Sequence, residues 1–279
     1  MTDPWTQEKS QAVAQTLAGI TRLGVAFSGG VDSSVLLALA TEHLGHDQVL
    51  AIIGVSPSLA ETDRAAAHTV ALHIGVKLLE LPTHEGQRPQ YQANGPDRCF
   101  HCKDELFTRI TDDLVHTHHL DAVAYGENAD DTRRPDRPGS RAAHRHRVLH
   151  PLADAGLTKT DVRRIARAYA LPSAGKPASP CLASRIPHFQ DVTPDKLRQI
   201  EQAEKAIREM GFPDLRVRHH GEIARIELPL EDLPRALTEP RRATIHAAVL
   251  AAGFRYATID LAGLQSGAFT LSLVPVSHA

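Results

Sequence analysis

The chain has 279 residues, 42% hydrophobic and 23% charged, with a formal net charge of −2. This is the make-up of an ordinary globular protein, long enough for one large or two modest domains. A surface so nearly neutral carries no general attraction for nucleic acid, and no run of about 18 or more apolar residues is present to span a membrane.

The opening Met1-Thr2-Asp3-Pro4-Trp5 lacks the basic and then apolar pattern of a secretory signal. Three cysteines cannot all pair within one chain, so a reduced, cytoplasmic setting is expected. Gln7 to Ile20 reads as a helix leading into a short apolar strand, Val25-Ala26-Phe27. Next comes Ser28-Gly29-Gly30-Val31-Asp32-Ser33-Ser34, a tight glycine turn that opens a helix running through Ala40. Two glycines let the backbone approach a ligand closely. The helix start offers unpaired N–H groups and the positive end of its dipole, and the serine hydroxyls of Ser28, Ser33 and Ser34 add donors. That chemistry suits phosphate or pyrophosphate; the plainer reading is a glycine turn with no ligand. Neither G-x-x-x-x-G-K-[ST] nor G-x-G-x-x-G occurs. Ser-Gly-Gly-Val-Asp-Ser does resemble the PP-loop of the ATP pyrophosphatase superfamily. Those enzymes cleave ATP between the α and β phosphates, keep pyrophosphate in the loop and pass AMP to an acceptor.

The loop's helix should stop at Gly45. Val49 to Val55 is an unbroken apolar run, as expected of a strand buried on both faces; the superfamily resemblance implies that its end borders the adenine. Glu61 to Ile74 reads as a helix with Ala65, Ala66, Val70 and Leu72 among its buried residues. Val76 to Leu81 and Asp121 to Gly126 read as further strands. Strands alternating with helices predict an α/β fold, a parallel sheet with helices on both faces. Ligands of such sheets sit beyond the carboxyl ends of the strands, where the glycine loop and Gly126 lie.

Between the third and fourth strands stands Asp97-Arg98-Cys99-Phe100-His101-Cys102-Lys103. A C-x-x-C pair is half a zinc site, a redox dithiol or part of an iron–sulfur site. The third cysteine, Cys181, lies far downstream and no fourth exists. With His101 the three make a Cys₃His set; alone they suit a [4Fe–4S] cluster with one iron open, or they are three unrelated small buried residues. After Gly126 come the acids of Glu127-Asn128-Ala129-Asp130-Asp131, which are of the kind that meet magnesium, and the basic run Arg133 to Gly139, which suits phosphate or solvent. Thr158 to Arg167 reads as a capped amphipathic helix with a basic outer face.

A domain boundary is expected between Ile186 and Thr193, dividing the chain into 1–188 and 189–279. The second part predicts a helix over Pro194 to Met210 closed by Gly211. A hairpin follows, of Leu215-Arg216-Val217-Arg218 and Ile223 to Leu228, turning through His219 to Glu222 with one wet face, then a last strand near Arg255 to Leu261. This is a small α+β unit. Arg216 and Arg218, two apart on one strand, share a face as a phosphate clamp or a solvated pair.

Five stretches together resemble one family over nearly the whole length. They are the PP-loop, Arg-Cys-x-x-Cys-Lys, Ser-x-Cys-Leu-Ala-Ser-Arg-Ile-Pro, Arg-Val-Arg-x-His-x-x-Ile-Ala-Arg-Ile-Glu and Gly-Phe-Arg-Tyr-x-Thr-Ile-Asp-Leu. They look like the LarE family of ATP-dependent sulfur transferases that build a nickel-pincer nucleotide cofactor for lactate racemase. The resemblance implies a Rossmann-like PP-loop domain and ATP and Mg²⁺ as cofactors. The substrate it implies is pyridinium-3,5-dicarboxylic acid mononucleotide, whose carboxylate is adenylylated before sulfur displaces AMP to give a thiocarboxylate. Some members sacrifice a cysteine sulfur; others carry three cysteines and a [4Fe–4S] cluster that delivers sulfide, and Cys99, Cys102 and Cys181 match the second kind. It further implies that Ser28, Gly29, Gly30, Asp32, Ser33, Ser34 and Gly126 hold the nucleotide. Lys103 and Arg185 would stabilise the acyl-adenylate beside Cys181, and Ser184, Arg185, Arg216 and Arg218 would hold the substrate. Glu204 and Glu227 match acids linked to a divalent ion. A homo-oligomer with no membrane or nucleic-acid partner is expected. The rival readings are a PP-loop tRNA thiolase, which wants a basic surface, an amidating ligase, which wants an ammonia source, and a non-enzymatic nucleotide or cluster sensor, which would release no pyrophosphate.

Overall fold

The structure is a computed structural model that describes residues 3–133, 138–177 and 179–265. In chain order its helices are α1 (Pro4–Thr16), α2 (Val31–Leu44), α3 (Glu61–Ile74), α4 (Pro89–Gln92), α5 (Arg98–Arg109), α6 (Ala129–Thr132), α7 (Pro138–Arg145), α8 (Pro151–Asp154), α9 (Lys159–Ala168), α10 (Pro194–Glu209), α11 (Leu233–Leu237) and α12 (Arg241–Ala251). Its strands are β1 (Leu23–Ala26), β2 (Val49–Val55), β3 (Lys77–Pro82), β4 (Ala122–Tyr125), β5 (Arg216–His220), β6 (Ile223–Glu227) and β7 (Tyr256–Ile259). The chain divides into two compact units, Met1–Glu85 with Asp97–Ser179, and Gly86–Pro96 with Pro180–Ala279. Arg134 and Arg137 of the basic run lie outside the described residues. Among the described residues no helix is long and apolar enough to cross a membrane.

The first unit is a parallel sheet in the order β3-β2-β1-β4. Its side chains feed two cores, one on each face. Val49, Ala51 and Ile53 join the core built with α2, while Leu50 and Ile52 join the one that holds Phe107 and Ile110. One strand serving both cores explains why its sequence is apolar throughout. Helix α2 is enclosed too: from Val31 to Thr41 every residue but Asp32 is buried. Helix α3 corrects an expectation. Ala67, Val70 and Ala71 are its buried residues, whereas Leu72 is 82% exposed and Ala65 and Ala66 are not buried. The spacing i, i+3, i+4 from Ala67 defines the inward face, and Ala67 is fixed there because its backbone abuts Gly29.

The second unit has a three-stranded sheet, β5-β6-β7, with β5 antiparallel and β7 parallel to β6. His219 and His220 continue β5 rather than forming the turn, which shrinks to Gly221-Glu222 with Gly221 at φ 66. The expected wet face is also corrected: Arg218 is buried and paired across the strands with Glu227. Residues 86–96 belong to this unit through Asn94. Its buried side-chain amide donates to the carbonyls of Ile186, Pro187 and Gln190 at 3.2, 2.8 and 3.1 Å. The Val192 N–H donates to the Gln92 carbonyl at 2.9 Å.

His219 makes the fold sensitive to acid. It is buried against the Phe254 ring, 5.2 Å between centroids, with Nε2 3.0 Å from Gln199 Oε1. Burial first, and then the charge of Lys196, push its imidazole down to about 4. The native state therefore refuses a proton that the unfolded chain accepts below about pH 6.5. Stability from this group is intact above that pH and is lost progressively as pH falls to the native value. A His219→Gln chain is expected to lose less melting temperature than the parent between pH 7 and 4. Parallel pH profiles of thermal unfolding would refute the assignment.

Candidate functional site

The glycine loop stands at the carboxyl end of β1. Gly29 has φ 67, and a methyl group there would lie 2.9 Å from the Ala67 Cα, so both backbone and space demand glycine. The loop is held by its own hydroxyls. Ser33 Oγ donates to the Gly30 carbonyl at 3.1 Å and lies 3.2 Å from Ser28 Oγ, and Ser34 Oγ donates to the same carbonyl at 2.8 Å. Ser34 is fully buried, so its hydroxyl shapes the loop instead of facing a ligand. Gly30 caps α2 without a side-chain bond, which leaves the helix start open to an anion.

Asp32, in the first turn of α2, is engaged on both oxygens. Asn128 Nδ2 donates to Oδ1 at 2.9 Å, and Lys159 Nζ is hydrogen-bonded to Oδ2. Lys159 opens α9, where Thr158 and Asp161 form a capping box, and its N–H donates to Asp130 Oδ2 at 2.8 Å. Asn128 in turn caps α6 by accepting from the N–H groups of Asp130 and Asp131. A lysine thus stands beside the loop together with the acids. Sequence reasoning missed Lys159 and Asn128: the capping box was visible, but a partner 127 residues away was not.

The end of β4 joins this loop to the cysteine helix. A methyl group on Gly126 would lie 2.5 Å from the Ser33 N. Its neighbour Tyr125 has the Lys103 ammonium 4.3 Å from its ring centroid and donates from its hydroxyl to Glu127. Ser140 of α7 donates to the other Glu127 oxygen, and Glu127 is buried. Lys103 directly follows Cys102 on α5. Cys99 and Cys102 are one turn apart at the amino end of that helix, Cys99 exposed and Cys102 half-buried, neither in a disulfide. His101, the alternative fourth ligand, faces Asp97 at 3.0 Å.

Cys181, Ser184 and Arg185 lie in the second unit, on and just before a short 3-10 turn over Leu182–Arg185. Arg185 is 2% exposed and every nitrogen is engaged. Nε and Nη2 meet Glu204 at 2.9 and 3.3 Å, while Nη1 is hydrogen-bonded to the Pro180 carbonyl, the Cys181 carbonyl and Ser184 Oγ. It therefore clamps the cysteine segment, and is not presented to an acyl-adenylate as expected. Glu204 and Glu227, expected to meet a divalent ion, neutralise guanidiniums here: Arg185 and Arg208 at Glu204, Arg218 and Arg225 at Glu227. Arg218 also donates to the Ser184 carbonyl at 3.1 Å. Arg216 is half-buried, and burial, then the positive charge of Arg185, hold its guanidinium below the ordinary range. Among the described residues no group of three or more histidine, cysteine or acidic side chains is gathered as a metal site.

The asparagine synthase family matches residues 7–130. An uncharacterised protein of Synechocystis sp. is 36% identical over 94% of this chain and 96% of its own length. The pyridinium-3,5-bisthiocarboxylic acid mononucleotide synthase of Lactiplantibacillus plantarum is 32% identical over 93% of this chain and 92% of its own. An uncharacterised protein of Methanocaldococcus jannaschii is 28% identical over 77% and 80% respectively.

Proposed function

This chain belongs to the LarE family, and from that membership we propose that it is an ATP-dependent sulfur transferase acting on a carboxylated pyridinium mononucleotide. The observation that carries the reading is the Tyr125-Gly126-Glu127 segment, which touches the phosphate loop through Ser33 and the cysteine helix through Lys103. One strand end thus serves both halves of a two-step reaction.

A carboxylate resists attack by sulfur because it already bears negative charge. In the first step its oxygen attacks the α-phosphorus of ATP, and pyrophosphate leaves. Ser28, Gly29, Gly30, Ser33 and the open start of α2 receive that anion. Lys159 holds Asp32 beside it and adds positive charge. Magnesium, when bound with ATP, would neutralise further phosphate charge, with Asp32 of the loop's helix a carboxylate to meet it. Lys103, held over the Tyr125 ring, is the cation assigned to the acyl-adenylate. In the second step a carbon–sulfur bond forms as the acyl–oxygen bond to AMP breaks. Arg216, with Arg218 locked behind it on Glu227, receives the substrate phosphate.

The three thiols, Cys99 and Cys102 of the first unit and Cys181 of the second, are those that would hold a [4Fe–4S] cluster with one open iron. When bound, such a cluster would supply sulfide. The test is anaerobic reconstitution with iron and sulfide, followed by iron and labile-sulfide counts beside a Cys181→Ala variant. About four irons per chain, lost in the variant, supports three-thiolate ligation. A colourless protein without iron overturns it and directs attention to a mass loss at one cysteine after turnover.

A further inference from the structure

Residues 172–177 and 179–181 form neither helix nor strand, and Pro172, Pro177 and Pro180 lack backbone donors. The Lys176 N–H donates to the Ser173 carbonyl at 3.0 Å; among the described residues the next backbone bond is from the Ser184 N–H to the Cys181 carbonyl at 2.9 Å. Side chains hold the interval. Asp63 Oδ1 meets Lys176 Nζ at 2.9 Å, and Asp63 Oδ2 accepts from Ser179 Oγ at 2.9 Å. Beyond the cysteine the holding group is Arg185.

Asp63 lies in the first turn of α3, four residues before Ala67. Ala67 is the residue whose backbone a methyl group at Gly29 would strike. The same two turns of one helix therefore back the phosphate loop and tether the segment that leads to Cys181. We propose that Asp63 is a positioning residue for the Cys181 thiol, fixing the segment that leads to it against the helix that backs the phosphate loop. Its catalytic meaning rests on the sulfur-transferase reading; its effect on the thiol does not. An aspartate here also favours the helix dipole, and a part-exposed ion pair adds little to stability, so melting temperature is not the readout.

The test is alkylation by iodoacetamide of the full chain, purified anaerobically without added iron, with each cysteine followed by peptide mass. Asp63→Ala is expected to change the Cys181 rate by about fivefold or more while the Cys99 rate stays put. Asp63→Asn, which keeps an acceptor for Ser179, gives a smaller change. Lys176→Met gives part of it and adds nothing to Asp63→Ala. In turnover, the sulfur transferred per pyrophosphate released falls in Asp63→Ala. No change at Cys181, or equal changes at Cys181 and Cys99, overturns the proposal. A selective thiol change in a protein that releases no pyrophosphate would leave the positioning role standing and remove the sulfur-transferase reading.

Discussion

Gly126→Ala is expected to melt early and to bind ATP poorly or not at all. The added methyl would lie 2.5 Å from the Ser33 N, 2.7 Å from the Asp32 carbonyl carbon and 2.7 Å from the Ser33 Cα. All three are backbone atoms in the first turn of α2, a helix buried on nearly every side. No rotamer change relieves such a contact, so β4 or the phosphate loop must move. Overpacking of this kind costs about 1–3 kcal/mol, and each kcal/mol lowers melting by about 2–4 °C in a chain of this size. Nucleotide affinity should fall further than stability, because the displaced backbone belongs to the turn proposed to receive phosphate. Gly86→Ala is the control, since a methyl there meets nothing within 4 Å. Calorimetric titration with ATP and a thermal scan decide the matter. A Gly126→Ala chain with parental affinity would show that the loop does not depend on this strand end.

Glu204→Ala should be more damaging to the fold. Glu204 is fully buried and answers Arg185, Arg208 and the Val217 N–H, the last at 3.0 Å. Removing it leaves two guanidiniums without their counter-charge, and breaking a buried pair typically costs about 3–5 kcal/mol. Glu204→Gln keeps an acceptor for Val217 but loses the charge, so it should fall between the two. Burial opposes ionisation of Glu204, but the Arg185 guanidinium, by charge and hydrogen bonding, outweighs it, with Arg208 and Val217 adding; the carboxyl is held below the usual range. The stabilisation is then present above the unfolded carboxylate value of about 4.3 and is lost as pH falls through the native one. Denaturant midpoints at pH 7 and in acid measure both. Equal midpoints for parent and variant at pH 7 would refute the role.

What the sequence revealed followed how local each signal was. The phosphate loop, β2 and the end of α10 at Gly211 are written in contiguous residues, and the structure has them where the pattern puts them. The inward face of α3 is not legible because alanines crowd both sides, and contact with Gly29 selects Ala67. Arg185 and Arg218 read in the sequence as substrate contacts, and nothing beside them marks them as buried. Their burial follows from Glu204 and Glu227, which lie 19 and 9 residues away and read equally well as solvated acids. Lys159 was hidden in a basic helix face, and nothing nearby marks it as the partner of Asp32.

The excursion of residues 86–96 bears on how the chain can be divided. The second unit is not a detachable cassette. A cut after residue 179 would strand Asn94 on the wrong piece, and with it the amide that satisfies three carbonyls of the segment from Ile186 to Gln190. The carbonyl of buried Ile186 would then lose this donor, while that of Pro187 keeps the Gln190 N–H. A gene for the C-terminal portion alone therefore encodes an incomplete body. To graft that portion onto another chain is also to graft the loop between β3 and α5.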